Sequence, residues 1–263
     1  MRAAVGRFKS LAQHIERYAT AITLKSESAD FHRRLGKMRR ERGKLPQALA
    51  HYQKAVCLDP ASTDTCIVFS QILEQIFPRS YDPKLEQALE ACFASPAVEY
   101  QMLAEAAGRQ ARLKHGLTRQ TPKAWEEVLG KDGAEPYDEA ILSVLGDKLL
   151  AALLVKTTNV DPELEQFLTG VRRALLFARH EADDLPESMV RFMALIAQQA
   201  YTNGYAFWQG EDERCEIERL RGDIEAALEA EAPSWDGLLV RLCRLAMYAP
   251  LSRLAAGERL LER

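Results

Sequence analysis

The chain has 263 residues, enough for one large helical array or two smaller domains. Its 47% apolar content excludes an intrinsically disordered chain, and a net charge of −3 argues against a protein that coats nucleic acid. The cysteines are far apart and have no metal-ligand spacing, which is typical of free thiols in a reducing compartment: Cys57, Cys66, Cys92, Cys215 and Cys243. The N-terminus lacks an apolar signal segment, and the apolar stretch 140–155 is interrupted by Asp147 and Lys148. We therefore expect a cytoplasmic protein without a membrane span.

Helical periodicity dominates the whole chain, so the predicted fold class is all-α. The predicted helices cover residues 8–26, 30–43, 46–58, 62–77, 83–94, 97–115, 121–130, 137–157, 161–179, 186–208, 211–230, 234–248 and 251–262. A capping side chain followed by proline marks four of the starts: Asp82-Pro83, Ser95-Pro96, Thr121-Pro122 and Asp161-Pro162. The cap oxygen accepts a free backbone N–H, and proline at the first helical position loses no hydrogen bond.

Residues 29–62 (ADFHRRLGKMRRERGKLPQALAHYQKAVCLDPAS) match the pattern of a tetratricopeptide repeat, a helix–turn–helix unit. Gly36 and Ala48 are small where the two antiparallel helices are expected to approach each other, and Tyr52 fills the space beside them. One repeat cannot bury both of its faces, so neighbouring helix pairs are needed. The sequence therefore predicts a tetratricopeptide-like helix-pair array, an α-solenoid, followed by a helical bundle domain.

The densest run of basic residues lies in the first helix of this repeat. Arg33, Lys37 and Arg40 are spaced four and three residues apart, so they share one helical face, which lines the groove in the repeat register. Such a face can bind a protein partner or an acidic peptide through charge-assisted hydrogen bonds. The alternative is a basic face that is merely solvated. Nucleic acid is disfavoured because few aromatic side chains alternate with these cations.

Two polar segments suggest how the rest of the chain is organised. Gly116 and the stretch GKDGAEP at 130–136 predict a boundary between a repeat-like array at 1–116 and an α-helical domain at 117–263. The stretch HEADD at 180–184 lacks the second histidine that a zinc site on a helix needs, so we expect no metal site.

An unusual strip of polar and aromatic residues lies in the predicted helix 186–208. Gln198, Tyr201 and Tyr205 share a face, and Gln199, Asn203 and Trp208 accompany them. Buried amides and phenols need hydrogen-bond partners, so a satisfied polar core network is one interpretation. The other is a pocket or docking surface lined by Gln198, Tyr201 and Tyr205.

From Tyr81 onward the chain resembles bacterial proteins in which tetratricopeptide repeats and a helical region precede a SAM-dependent methyltransferase domain. The phrases that carry the resemblance are LEQALEACFASPAVEYQMLAEAA (85–107), DPELEQFLTGVRRALL (161–176), LIAQQAYTNGYAF (195–207) with acidic residues at 211–213, and MYAPLSRL (247–254). The sequence has no strand followed by a GxGxG-type loop, and no acidic residue after a second strand to hold a ribose. Either the natural protein is longer and this chain is its helical part, or the chain is a stand-alone relative. The resemblance therefore implies methyl transfer only for a neighbouring domain.

Catalysis has no candidate residue in the sequence. The histidines are scattered and mostly flanked by charge, so each is expected at the surface: His14, His32, His51, His115 and His180. We expect no catalytic residue, no cofactor and no metal in this chain. The final segment, LSRLAAGERLLER, carries an apolar stripe that a partner, a further domain or a second copy of the chain would cover. Two functions follow as expectations: a non-catalytic protein-interaction module, or the substrate-recognition region of a methyltransferase.

Overall fold

The computed structural model describes residues 28–117, 123, 125, 138–178, 185–229 and 235–255. Every regular element in these ranges is helical, so the predicted all-α class is confirmed. The α-helices are α1 (Ala29–Glu41), α2 (Leu45–Leu58), α3 (Thr63–Leu73), α4 (Pro83–Ala94), α5 (Ala104–His115), α6 (Glu139–Leu145), α7 (Lys148–Lys156), α8 (Pro162–Phe177), α9 (Glu187–Thr202), α10 (Glu211–Glu229) and α11 (Trp235–Ala246), with 3₁₀ turns at Tyr100–Leu103 and Leu251–Arg253. None of the helices within these ranges has the length and apolar character to cross a bilayer.

The proline-linked helix starts are confirmed at two of the four predicted positions. The Asp82 carboxylate accepts the N–H of Lys84, and the Asp161 carboxylate accepts those of Glu163 and Leu164. The prediction at Ser95 is wrong, because Ser95 ends α4 and the next α-helix begins only after the 3₁₀ turn. Thr121-Pro122 lies outside the described residues, as do the predicted helix 8–26, almost all of 121–130 and most of 251–262.

Several predicted helices are shorter than the periodicity suggested; the predicted helix 62–77, for example, ends at Leu73. The predicted helix 137–157 divides at Asp147, whose carboxylate accepts the N–H of Leu150 and so starts α7. The predicted helix 186–208 ends at Thr202, because Gly204 and Tyr205 adopt left-handed backbone conformations with φ of 62° and 57°. Glycine reaches that region freely, but tyrosine does so only at a cost of about 1 kcal/mol or more.

The described residues divide into two compact units, and the first contains residues 28–77 and 82–102. Within it, α2 packs against α1, α3 and α4. A turn at Gly43, with φ of 69°, joins α1 to α2. The helices approach closely at Gly36, where an added β-carbon would lie 2.7 Å from the ring of Tyr52, and Ala48 is wholly buried. The predicted contact of small residues with Tyr52 is therefore present in the structure.

The second unit contains residues 78–81 and 103–255, so the division of the described chain falls after Met102 and places α5 in this unit. Helix α9 is central to it and packs against α6, α7, α8 and α11. Trp125 is buried in its core, with ring centroids 5.9 Å from Phe167 and 5.7 Å from Phe192. Most of the predicted linker 116–136 lies outside the described residues.

Candidate functional site

The three predicted groove cations of α1 have different environments. The Arg33 guanidinium donates to Asp59 at 3.0 Å and to the hydroxyl groups of Ser62 and Thr65 at 3.3 and 3.4 Å. These acceptors lie at the connection between α2 and α3, so Arg33 ties α1 to that connection. Its charge is balanced within the chain, and its first role in this geometry is structural.

Lys37 and Arg40 are instead exposed to solvent, and neither forms an ion pair with a described residue. Burial raises the pKa of Tyr52, and the positive charge of Arg40 opposes that rise, so Arg40 lies close enough to act on the phenol. Gly36 contacts the same ring. The two unpaired cations therefore follow the Gly36–Tyr52 contact along α1, at the edge of the hairpin that α1 forms with α2.

The polar strip at the end of α9 faces solvent over much of its length. Gln198 is exposed, and the exposed fractions of Tyr201 and Trp208 are 67% and 80%. Tyr205 is half-buried, close enough to Tyr201 and Arg253 for their charges to act on its phenol. The interpretation of these residues as a satisfied, buried polar network is therefore wrong. Of the predicted pocket, the structure brings Tyr201 and Tyr205 together as part of a surface.

Gln199 is the exception within this strip. It is only 1% exposed, and within the described part of the chain neither its amide nitrogen nor its amide oxygen has a hydrogen-bond partner. Burying an unpaired amide costs about 1–3 kcal/mol in proteins. Sequence reasoning expected such an amide to be satisfied, and the structure does not satisfy it.

A buried network of charged and aromatic groups holds the segment that follows α9. The guanidinium of Arg172, on α8, lies 3.9 Å from the ring centroid of Phe207, whose ring meets Tyr248 edge-on at 5.9 Å. The Tyr248 hydroxyl donates to Glu213 at 2.9 Å, and the other carboxylate oxygen of Glu213 accepts the N–H of Gly210 at 2.8 Å. Burial raises the pKa of Tyr248, and the neighbouring carboxylate of Glu213 raises it further. The phenol therefore stays protonated and donates.

Sequence reasoning did not find this network. Its one local signal was Glu213 three residues after Gly210, the spacing of a capping box, in which a side chain at the fourth position returns to the first backbone N–H. The partner Arg172 lies on α8 and the partner Tyr248 lies in the turn after α11, so both are far from Glu213 in the sequence. The network contacts Phe207 and Gly210, which lie on either side of the exposed ring of Trp208.

A serine, a histidine and an aspartate also meet in the second unit. The Oγ of Ser143 lies 3.4 Å from Nδ1 of His115, and Nε2 of His115 lies 2.7 Å from the buried carboxylate of Asp147. The same carboxylate accepts from Lys114 at 2.8 Å and caps α7 through the N–H of Leu150. The carboxylate of Asp147 therefore accepts from three donors, two at the end of α5 and one at the start of α7. Because these hydrogen bonds link the two helices, we interpret the cluster as structural.

Two histidines do not lie where the sequence predicted them. The side chains of His32 and His115 are buried, with 6% of His32 and 5% of the His115 side chain exposed. The surface assignment is therefore wrong for both, while His14 and His180 lie outside the described residues. The segment 180–184 is outside them too, and the described residues contain no group of three or more His, Cys, Asp or Glu side chains placed to hold a metal ion.

Comparisons of the whole chain with known proteins do not add a relative to this description. No family model, no curated protein and no solved structure matches it. The function is therefore argued from the residues and their geometry.

Proposed function

We propose that this chain is a non-catalytic, cytoplasmic interaction module, built on a tetratricopeptide-like helix pair, that binds an acidic segment of a protein partner. The observation that carries the proposal is the pair of exposed cations, Lys37 and Arg40, which have no ion-pair partner among the described residues. They extend from a helix whose position is set by the close contact of Gly36 with Tyr52. A rigid helix that presents unpaired cations is suited to carboxylate recognition.

The charges around this edge support an acidic partner over a neutral one. On α1, Arg34 is paired with Asp30 at 2.9 Å and Arg33 with Asp59. The other charges of the helix are Lys37, Arg39 and Arg40 against Glu41, so a positive excess is left, and its exposed cations are Lys37 and Arg40. An exposed ion pair contributes about 0.2–1 kcal/mol and is screened by salt. Two such contacts imply a gain in affinity of about three- to tenfold that is lost at high ionic strength.

The proposal is tested with a Lys37→Ala/Arg40→Ala double variant and a fluorescent poly-glutamate peptide in an anisotropy titration. We expect the variant to bind about three- to tenfold more weakly at low salt and equally weakly at high salt. The matched control is Lys54→Ala/Lys84→Ala, which removes the same charge from exposed positions on α2 and α4. Equal losses in both variants would show unspecific attraction, and no loss in the first would overturn the proposed site.

A second candidate function rests on a different observation. Three of the phrases that resemble the methyltransferase-associated region meet in space. Arg172 of the phrase 161–176 lies over the ring of Phe207, and Phe207 and Glu213, of the second phrase, both contact Tyr248 of the third. This convergence supports the view that the phrases form one packing unit, and we propose as the alternative that the chain is the substrate-recognition region of a SAM-dependent methyltransferase whose catalytic domain lies outside it.

On either proposal the chain itself lacks the cofactor site. We expect isothermal calorimetry of the 263-residue chain with S-adenosylmethionine to show no heat of binding at micromolar concentrations. Circular dichroism of the same preparation measures its helicity, which is the control for misfolding. Saturable micromolar binding would contradict both proposals as stated, because it would place a cofactor site among these helices.

A further inference from the structure

Two imidazole rings face each other where α1 packs against α2. The Nδ1 atoms of His32 and His51 are 3.1 Å apart, and the ring centroids are 5.3 Å apart with a tilt of 30°. His32 is buried and His51 is half-buried. At this separation one Nδ1 must carry a proton and the other must accept it, because two N–H groups or two lone pairs would repel each other. The contact therefore requires at least one neutral imidazole.

The charges around this contact oppose any further proton. Burial lowers the pKa of His51, and the positive charges of His32, Arg39 and Lys54 lower it further. Arg39 belongs to α1 and Lys54 to α2, the two helices that carry the imidazoles. At the start of α4, the carboxylate of Asp82 accepts from Gln53 and the backbone carbonyl of Lys84 accepts from Cys57, both on α2.

We propose that the His32–His51 contact is a proton-sensitive latch on the α1–α2 hairpin: it closes the hairpin while the two Nδ1 atoms share one proton, and uptake of a second proton opens it. The inference goes beyond the proposed binding of an acidic partner and does not depend on it. It assigns a function to one buried and one half-buried histidine that the proposed binding site does not use.

The direction of the pH effect follows from the lowered pKa. An imidazole that leaves the contact recovers its ordinary pKa of 6.5, so the open hairpin takes up a proton more readily than the closed one. The stabilisation is complete above pH 6.5 and declines as the pH falls below that value toward the lowered pKa. Each unit by which the closed state lowers the pKa corresponds to a tenfold change in the opening equilibrium.

The latch is tested on the full chain by hydrogen exchange of the Gly36 and Ala48 amides between pH 7.5 and 5.5, corrected for the intrinsic exchange rate and run with a metal chelator. In the natural chain we expect their protection to fall about tenfold over this range. Asparagine places a non-titrating amide near the position of Nδ1, so His51→Asn and His32→Asn should each remove most of this fall. His115→Gln removes a histidine of the second unit and should leave it unchanged.

The readout is the dependence on pH rather than the absolute protection, so a variant with a less stable hairpin still reports. A fall in His51→Asn equal to that of the natural chain would overturn the proposal. An imidazole NMR titration of the natural chain decides it even if a variant does not fold, because two rings that titrate independently near their ordinary pKa cannot form the latch. The Lys37→Ala/Arg40→Ala variant should keep the natural pH dependence, which separates this test from that of the binding site.

Discussion

Replacing Asp147 by alanine is expected to lower the free energy of unfolding by about 3–4 kcal/mol, the largest single effect that we predict. The carboxylate side chain is fully buried and accepts from His115, Lys114 and the N–H of Leu150. Alanine removes the cap of α7, which is worth about 1 kcal/mol, and leaves the buried imidazole of His115 without its acceptor. Urea denaturation followed by circular dichroism measures the difference.

The same carboxylate predicts a stability that depends on acid pH. Burial by itself would raise the pKa of Asp147, but the hydrogen bonds from His115, Leu150 and Lys114 outweigh it and lower the pKa from 3.8 to about 2. A lowered carboxyl pKa stabilises the fold fully above pH 3.8, and this stabilisation is lost as the pH falls through about 2. The shift corresponds to about 2 kcal/mol. Asp147→Asn, which does not titrate, should lack this part of the acid-induced loss.

Asp138 offers a matched control for the cap alone. Its exposed carboxylate accepts the N–H of Ala140 at the start of α6, and no other hydrogen bond to it is seen in the described residues. Asp138→Ala should therefore cost only about 0.5–1 kcal/mol. If Asp147→Ala cost no more than Asp138→Ala, the buried contacts to His115 and Lys114 would contribute nothing, and our interpretation of the cluster would be wrong.

A second large effect is expected from Gly36→Ala, which should destabilise the chain by about 1–2 kcal/mol although alanine is the better helix former. The new β-carbon would lie 2.7 Å from two ring carbons of Tyr52, which is buried and cannot move aside without shifting α1 from α2. Hydrogen exchange within α1 and α2, together with urea denaturation, measures the loss.

Gly222→Ala is the matched control for the Gly36 substitution. Gly222 lies within α10, and a β-carbon there would meet no atom within 4 Å, so alanine should stabilise the chain by about 0.5–1 kcal/mol. Tyr52→Ala should in turn make Gly36→Ala harmless, with a coupling energy of about 1–2 kcal/mol in the double-mutant cycle. A stabilising Gly36→Ala would contradict the close approach of the two helices, and with it the tetratricopeptide-like helix pair that we propose.

The local patterns of the sequence were sufficient where neighbouring residues decide the structure. The periodicity predicted the all-α class and the extents of α1, α2, α4 and α10 to within one or two residues. Aspartate before proline predicted the starts of α4 and α8, since the cap and its acceptor lie in one turn of chain. The contact between Gly36 and Tyr52 was also predictable, because the short turn after α1 brings α2 back along it.

Local patterns failed where a left-handed residue or a cap interrupts an apolar run. Nothing in the periodicity of 137–157 separates α6 from α7, since the break depends on where the Asp147 carboxylate points. The end of α9 depends likewise on the backbone of Gly204 and Tyr205, and the exposed Trp208 lies beyond that end.

The amino-acid sequence by itself determined the all-α class, the extents of several helices, the caps at Asp82 and Asp161 and the small-residue contact of α1 with α2, because these depend on interactions between residues near one another in the chain. Only the tertiary structure decided which charged side chains are already occupied. It paired Arg33 with Asp59, brought His115 and Lys114 to Asp147, and set His32 against His51. A cation, a carboxylate or an imidazole is available for binding only if folding has not already given it a partner from a distant helix. The sequence does not show this, because charge–charge interactions act through space rather than along the chain.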